Sequence, residues 1–429
     1  MNKKLVALAV AGVLAAPLAQ AQTANVTLYG RVNLDVEFVN GKIYNNNVQQ
    51  PATCSKAFNT GACLTTNPAV YRMGTNSSRF GLRGTESLGG GLNAIFQVES
   101  SIDPAHSGGT LAGRESFVGL QGGWGTFKIG RFLMPYDDLH PIFGNVPTLT
   151  TSILSTASLW AQGFQAKNTG GFDDRVAQSI RYDTANLSGF TASFQYGQQG
   201  ASYANPGAAI TTPTVTNAKV FGANALYNNG PISLGVGYEG NYGVRGRQVC
   251  STILLGVLVP CTSPALVGTS TTGKALNDYA FSVAGAYKFS VVQVGAVYEL
   301  LKYDNGGLAG GELKRNFWGL SLTGNVGPGQ LYAFYGQANN GTGSSPKGTR
   351  VAGLVNGENT RATQYEVSYT YPLSKRTLTY LGYNRINNRD NAAYNFNINP
   401  YNPVSSSDSS YNTPGGKPGG LVFGMVHFF

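Results

Sequence analysis

The chain has 429 residues; 12% are charged, 42% are hydrophobic, and 58 glycines and 24 tyrosines accompany a formal charge of +10. Ordinary soluble domains carry about 25% charged residues, so this chain presents a large surface that excludes charge. The basic excess argues against a nucleic-acid partner, because its lysines and arginines stand singly or in pairs in a chain that opens with an export leader.

The leader is MNKKLVALAVAGVLAAPLAQAQ. Lys3 and Lys4 precede an apolar stretch from Leu5 to Leu14, and Ala19-Gln20-Ala21 forms a small-x-small site. This order predicts a signal peptide over residues 1–21, cleaved before Gln22, and one domain over 22–429. A later apolar segment, Ile253 to Val259, is far short of the ~20 residues of a spanning helix.

Period-two alternation begins at Val26. Val26, Leu28, Val32, Leu34, Val36 and Phe38 share one face, and Thr27, Tyr29, Arg31, Asn33, Asp35 and Glu37 the other. Sixteen such runs are predicted, near 26–40, 77–88, 91–103, 113–123, 125–134, 174–187, 189–199, 217–229, 231–243, 275–289, 291–304, 313–326, 329–339, 361–373, 376–389 and 419–429. Tight turns rich in Gly, Pro and Asn alternate with long polar loops, at 41–76, 104–112, 135–173, 200–216, 244–274, 305–312, 340–360 and 390–418. Short turns on one rim and long loops on the other define an all-β, 16-stranded antiparallel transmembrane barrel, with short periplasmic turns and long extracellular loops. A tilted strand needs roughly 9–11 residues to cross a bilayer, which these runs supply. Propellers and β-helices repeat a motif, and none recurs here. Tyr287, Phe289, Tyr298, Tyr365, Tyr369 and Tyr371 sit on apolar faces, as interfacial aromatics do.

The four cysteines form two close pairs, Cys54 with Cys63 and Cys250 with Cys261. In an oxidising compartment they are disulfide candidates, the local pairing favoured among three possible ones. No histidine lies near either pair, so zinc is not expected. The histidines are His106, His140 and His427, and neither a G-x-S-x-G elbow nor an H-E-x-x-H site appears. The expectation is no enzyme, no cofactor and no metal. The disulfide-candidate segment around Ile253–Val259 has three readings: packing on the barrel mouth, contact with a neighbouring subunit, or contact with lipid.

Several segments resemble the general porins of Gram-negative bacteria, betaproteobacterial type: NVTLYGRVNLDVEFVN, SSRFGLRGTESLGGGLNAIFQVES, GRESFVGLQGGWGTFKIGR, SIRYDTANLSGFTASFQYG and the terminal GMVHFF. The resemblance implies a homotrimer in the outer membrane, in contact with lipid and lipopolysaccharide, each copy with its own aqueous pore for small hydrophilic solutes. It implies a third loop folded into the lumen, and a terminal Phe429, with Met425 and Phe423, read by the barrel assembly machinery. It places constriction arginines at Arg79, Arg114 and Arg175, with Arg31, Arg83 and Arg131 as further pore lining. The loop acids of the family would be Asp137, Asp138, Asp173 and Asp174, because no acid lies from Asn145 to Phe164. With that acidic side depleted, rings of basic residues predict an anion-preferring diffusion pore. The alternative is a substrate-selective porin for a sugar or small organic anion, using Tyr29 and Trp160. No aromatic series is expected on the lumen face, which favours packing roles for both.

Overall fold

The computed structural model describes residues 25–41, 43–44, 65–66, 69–143, 152–161, 172–200, 217–243, 251–254, 257–260, 276–305, 310–351, 354–401 and 414–429. The predicted leader and all four cysteines lie outside these residues.

Sixteen antiparallel strands close into a barrel. They are β1 (Asn25–Asn40), β2 (Ala69–Thr75 continued by Arg79–Gly89), β3 (Leu92–Ile102), β4 (Ser116–Gly122), β5 (Gly125–Leu133), β6 (Arg175–Thr184), β7 (Phe190–Gly200) and β8 (Asn217–Asn229). The second half contains β9 (Ile232–Tyr242), β10 (Asn277–Phe289), β11 (Val292–Asp304), β12 (Glu312–Val326), β13 (Gly329–Ala338), β14 (Ala362–Pro372), β15 (Thr377–Asn388) and β16 (Gly419–Phe428). Each strand pairs with the next, and β1 pairs with both β2 and β16, so no edge is left open. The last residue completes the seam. The Phe429 N–H donates to the Gly30 carbonyl and the Gly30 N–H to the Phe429 carbonyl, both at 3.1 Å. A Cβ on Gly30 would come within 2.4 Å of the Phe429 ring, so this approach needs glycine.

The alternation read from sequence is the inside-outside alternation of the wall. On β1, Leu28 is 60% exposed while Asn33 and Glu37 are fully buried. Across the barrel Phe80, Leu82, Val98, Ile129, Phe194, Val283 and Phe423 are exposed on the outer face. Tyr287, Phe289, Tyr298, Tyr365 and Tyr371 join them there. A face this apolar needs a hydrocarbon solvent. On the short-turn rim, Gly89, Gly90 and Gly91 all take positive φ, which lets β2 reverse into β3 without a Cβ clash.

The structure corrects the first long loop, because 69–75 of the predicted loop 41–76 is already strand. The segment AVYRMGT alternates as well, with Tyr71 and Met73 exposed outward. A break at Asn76-Ser77-Ser78, with Ser77 at φ 54°, hides its continuity with Arg79–Gly89. The Ser78 hydroxyl donates to the Asn33 carbonyl at 3.1 Å and accepts the Asn33 N–H at 2.9 Å, so the break is held from β1. Segments 251–254 and 257–260 pair as a separate antiparallel ribbon, which explains the apolar stretch between Cys250 and Cys261 as strand-forming sequence.

The interior is not empty. A buried apolar cluster fills one side of the lumen, built from the third loop, the walls of β10 to β16 and residues of the last loop. The lumen face of β11, β12, β13 and β15 carries Tyr303, Phe317, Tyr332, Phe334 and Tyr380, all buried. The expectation of no lumen-facing aromatic series is therefore overturned. Tyr303, Tyr332 and Phe334 meet Phe172 and Phe143 of the third loop, Tyr380 donates its hydroxyl to Asp35 of β1, and the burial of all five rings leaves them no face open to a solute.

Candidate functional site

The third long loop runs from β5 to β6 and includes a helical turn, α1 (His140–Phe143). Its described parts lie on the wall from β9 to β15. The Ser321 hydroxyl donates to the Phe143 carbonyl at 2.6 Å, and the Gln364 amide to the Ser155 carbonyl at 2.9 Å. The Trp160 indole N–H donates to the Ser282 hydroxyl at 3.1 Å. Wall glycines make room for these contacts: a Cβ on Gly382 would come within 2.8 Å of Leu154, and one on Gly319 within 2.9 Å of Phe143. Part of the glycine excess is thus a recess for the loop.

At the centre of this contact is a fully buried ion pair. The Arg315 guanidinium on β12 donates to the Glu299 carboxylate on β11 and, at 2.6 Å, to the Leu159 carbonyl of the loop. Glu299 also accepts the Tyr136 hydroxyl at 2.9 Å and the Ala161 N–H at 2.5 Å. One carboxylate and one guanidinium therefore bind both limbs of the loop.

The last loop adds a second layer. The Asn397 N–H donates to the Ser158 hydroxyl at 3.0 Å, which joins the last loop to the third. Arg72 on β2 bonds Glu37 at 2.5 Å and the Pro400 carbonyl at 2.8 Å. Tyr394, Phe396 and Tyr401 are buried within the same apolar cluster. The polar composition of 390–418 hid this role, because the anchoring residues are three isolated aromatics spaced irregularly.

The opposite wall, β1 to β6, carries the arginines. Arg114 Nε donates to Glu99 at 2.5 Å, and Arg79 Nε stands 3.4 Å from the same carboxylate. Tyr29 donates its hydroxyl to Glu99 at 3.0 Å, so this ring is an orienting group for the carboxylate. Arg31 donates to the Ser77 carbonyl at 3.2 Å, across the break in β2, and interacts electrostatically with Arg79 and Arg114. Arg175 lies in the field of Arg114, Glu115, Asp137 and Glu99, and its Nε has no hydrogen-bond partner among the described residues. Arg83 sits lower on β2, its guanidinium 4.9 Å from the Tyr29 ring centre. The structure thus brings Arg31, Arg79, Arg114 and Arg175 together, with Glu99 and Glu115 as the acids among them.

Two expectations are corrected. Arg131 shares parity with Phe127 and Ile129, both exposed outward, so it is not the pore-lining cation of β5. Lys128 is the inward one, paired with Asp183 at 2.8 Å and stacked 5.2 Å from the Phe117 ring centre. The loop acids also differ from a charged wall facing the arginines. Asp138 accepts Arg181 at 2.6 Å and Asn224 at 2.8 Å. His140 Nε2 lies 3.0 Å from Asp173 and 3.7 Å from Asp137. These groups clip the two roots of the loop to each other and to the wall, while Asp174 is exposed. Glu99 was the overlooked acid. Its inward parity on β3, opposite Phe96 and Val98, was the available signal.

Asp137, His140 and Asp173 hold their ligand-type atoms within 4.8 Å of one another. Hydrogen bonding accounts for the cluster. Burial pushes Asp173 up to about 7, so its carboxyl is neutral at low pH, and burial lowers His140, so its ring takes up a proton only at a lower pH than usual. Burial and Asp173 push Asp137 up in the same direction. A carboxyl whose folded pKa lies above its usual value stabilises the fold most at low pH and loses that contribution as pH rises toward 7. The groups facing Asp173 are Asp137, His140, Asp174, Glu239 and Arg175. The denaturant midpoint of the detergent-solubilised protein should therefore fall between pH 4 and 8, and Asp173→Asn should flatten that fall.

A closed barrel with an apolar exterior, a loop across one half of its lumen and arginines on the other half is a membrane pore. A family model described as "Gram-negative porin" matches residues 6–391. The chain is 27% identical over 396 residues to "Outer membrane porin protein 32" of Delftia acidovorans, covering 91% of each. The fold resembles that of "Anion-selective porin from Comamonas acidovorans", with a TM-score of 0.63, 24% identity, and coverage of 95% of this chain and 100% of that one. It also resembles a trimer form of OmpT of Vibrio cholerae, with a TM-score of 0.57, 14% identity, and coverage of 95% and 100%. This chain belongs to the Gram-negative porin family. It is an outer-membrane channel for passive diffusion, not an enzyme.

Proposed function

We propose that the pore prefers small anions and that its ion path follows the wall of β1 to β6. The observation that supports this is the grouping of Arg31, Arg79, Arg114 and Arg175 around two acids, while the loop acids Asp137, Asp138 and Asp173 are engaged at the loop roots. A narrow passage with low-dielectric walls focuses such a field and enriches counter-ions. Arg79, Arg114 and Arg175 act directly on the permeating ion, with Arg31 behind them and Arg83 lower on the wall.

The working form is a homotrimer in contact with outer-membrane lipid and lipopolysaccharide. The precursor loses residues 1–21, and Phe429 with Met425 and Phe423 presents the strand read by the assembly machinery. In keeping with this, Phe429 is 43% exposed and sits at the seam between β16 and β1. The porin related in sequence and the anion-selective porin related in fold agree with this reading. Liposome swelling is the test. Monoanions should enter faster than neutral sugars of matched size, with rates that fall with solute size and do not saturate. Saturation by one sugar would instead favour a substrate-selective pore.

A further inference from the structure

On the lumen side of β1, beside the last loop, lies a polar cluster that the ion path does not use. Asp35 and Glu37 face inward there, Asp35 opposite Gly74 of β2 and Glu37 opposite Arg72. Both carboxylates are buried, Asp35 being only 3% exposed. Asp35 accepts the Tyr380 hydroxyl on Oδ2 at 2.9 Å, while its Oδ1 has no hydrogen-bond partner among the described residues. A buried carboxylate oxygen without a donor or a counter-charge is costly, which points to a ligand at this oxygen.

The oxygen is aimed at the space beside Gly74. A Cβ on Gly74 would come within 2.5 Å of both Asp35 Oδ1 and the Asn399 amide nitrogen, and within 3.1 Å of Glu37 Oε1. Side chains from β1 and from the last loop thus converge on one glycine. Arg72 donates to Glu37 Oε2 at 2.5 Å, leaving Oε1 to face Gly74. It also donates to the backbone carbonyls of Asn399 and Pro400, which holds Asn399, at φ 50°, over the cluster. Asn76 Oδ1 adds a further oxygen, 3.1 Å from the Asn399 amide nitrogen. With Asp35 and Glu37 set against Arg72, the group keeps a net negative charge.

We propose that this cluster binds a hard divalent cation of calcium size. Its ligands are Asp35 Oδ1, Glu37 Oε1 and Asn76 Oδ1, joined by the Asn399 side chain with its amide turned over to present oxygen. Without the ion, the amide nitrogen donates to Glu37 Oε1 at 3.2 Å and to Asn76 Oδ1 at 3.1 Å. Turned over, it brings acceptor oxygens together, an arrangement that a cation stabilises. Calcium takes such an irregular set of carboxylate and amide oxygens at about 2.3–2.6 Å and completes its shell with water, whereas magnesium demands an octahedron. The ion fastens the last loop to β1 and β2, next to the Arg72 clamp. Its ligands stand at positions 35, 37, 76 and 399, so no spacing motif announces them.

The test is isothermal titration of calcium chloride into the full-length protein, refolded in detergent without lipopolysaccharide and freed of metal with a chelator. The wild type should bind calcium, and Asp35→Asn should weaken that binding at least about tenfold, because a charged ligand is lost. Asn399→Asp should tighten it about tenfold, since it supplies a charged oxygen without any turning of an amide. An Asn399 that served only as a donor to Glu37 would give repulsion in this variant and no gain in calcium affinity. Asp173→Asn, in the separate cluster at the loop roots, should leave the titration unchanged. Channel insertion into planar bilayers verifies that each variant has closed its barrel. Absence of calcium binding by the wild type would overturn the proposal. So would equal binding by Asp35→Asn, no tightening in Asn399→Asp, or loss of binding in Asp173→Asn. Abolition of the signal by about 0.3 M sodium chloride would also overturn it, as the mark of diffuse surface attraction.

Discussion

Arg114→Gln should lower the anion-over-cation permeability ratio about fivefold at 0.1 M salt, since a unit charge near 4 Å acts on an ion by at least ~1 kcal/mol even at the dielectric constant of water. The combined Arg79→Gln/Arg114→Gln/Arg175→Gln variant should lose the preference altogether. The effect is large because all three guanidinium groups act on one region. Arg79 and Arg114 share Glu99, at 3.4 and 2.5 Å, so removing either leaves that carboxylate less compensated. Arg175 is the least engaged of the three. The same geometry predicts the opposite sign at the acid: Glu99→Gln should strengthen anion preference. Zero-current potentials of single and combined variants provide the measurement. Equal potentials across the arginine series, or a weakened anion preference in Glu99→Gln, would place the ion path elsewhere.

The second large effect is expected inside the loop-covered half. Arg315→Leu should cost about 3–5 kcal/mol, because it strands the Glu299 carboxylate, fully buried, without its counter-charge. It also removes the donor to the Leu159 carbonyl and a contact to the Tyr394 hydroxyl. The third loop and the last loop lose a shared anchor at once, so the channel should become wider and noisier as well as less stable. Arg315→Leu/Glu299→Leu should recover much of the stability while leaving the Leu159 carbonyl unanchored. Denaturant midpoints and single-channel recordings read these two consequences separately. A single variant with wild-type stability and quiet wild-type conductance would refute the anchoring role.

The barrel was legible because one physical rule governs every strand. With hydrocarbon outside and water inside, alternation of period two appears in each crossing, and fifteen of the sixteen predicted runs coincide with strands to within a few residues. The exception is the early start of β2, where the Asn76-Ser77-Ser78 break interrupts the pattern. The site was legible only in part. Arg79 and Arg114 follow from inward position and motif, and Glu99 was visible on the same parity. The anchoring of the third loop was not, because Arg315, Glu299, Ser321 and Gln364 are remote in sequence and look like any polar residue of a lumen face. The lumen aromatics were missed for a related reason: on a strand, a ring buried under a loop alternates just as a lipid-facing one does. Arg131 shows the converse, where a charge on a strand suggested the lumen but the parity of Phe127 and Ile129 assigns it to the outer face.

The most direct test of the central claim is the zero-current potential of the purified oligomer in a planar bilayer across a tenfold potassium chloride gradient. The arginine-lined path predicts the sign of an anion-preferring pore. It also predicts that the preference shrinks as mean salt rises from 0.1 to 1 M, as the screening length falls from about 10 to about 3 Å. A potential of cation-preferring sign at low salt would contradict the account.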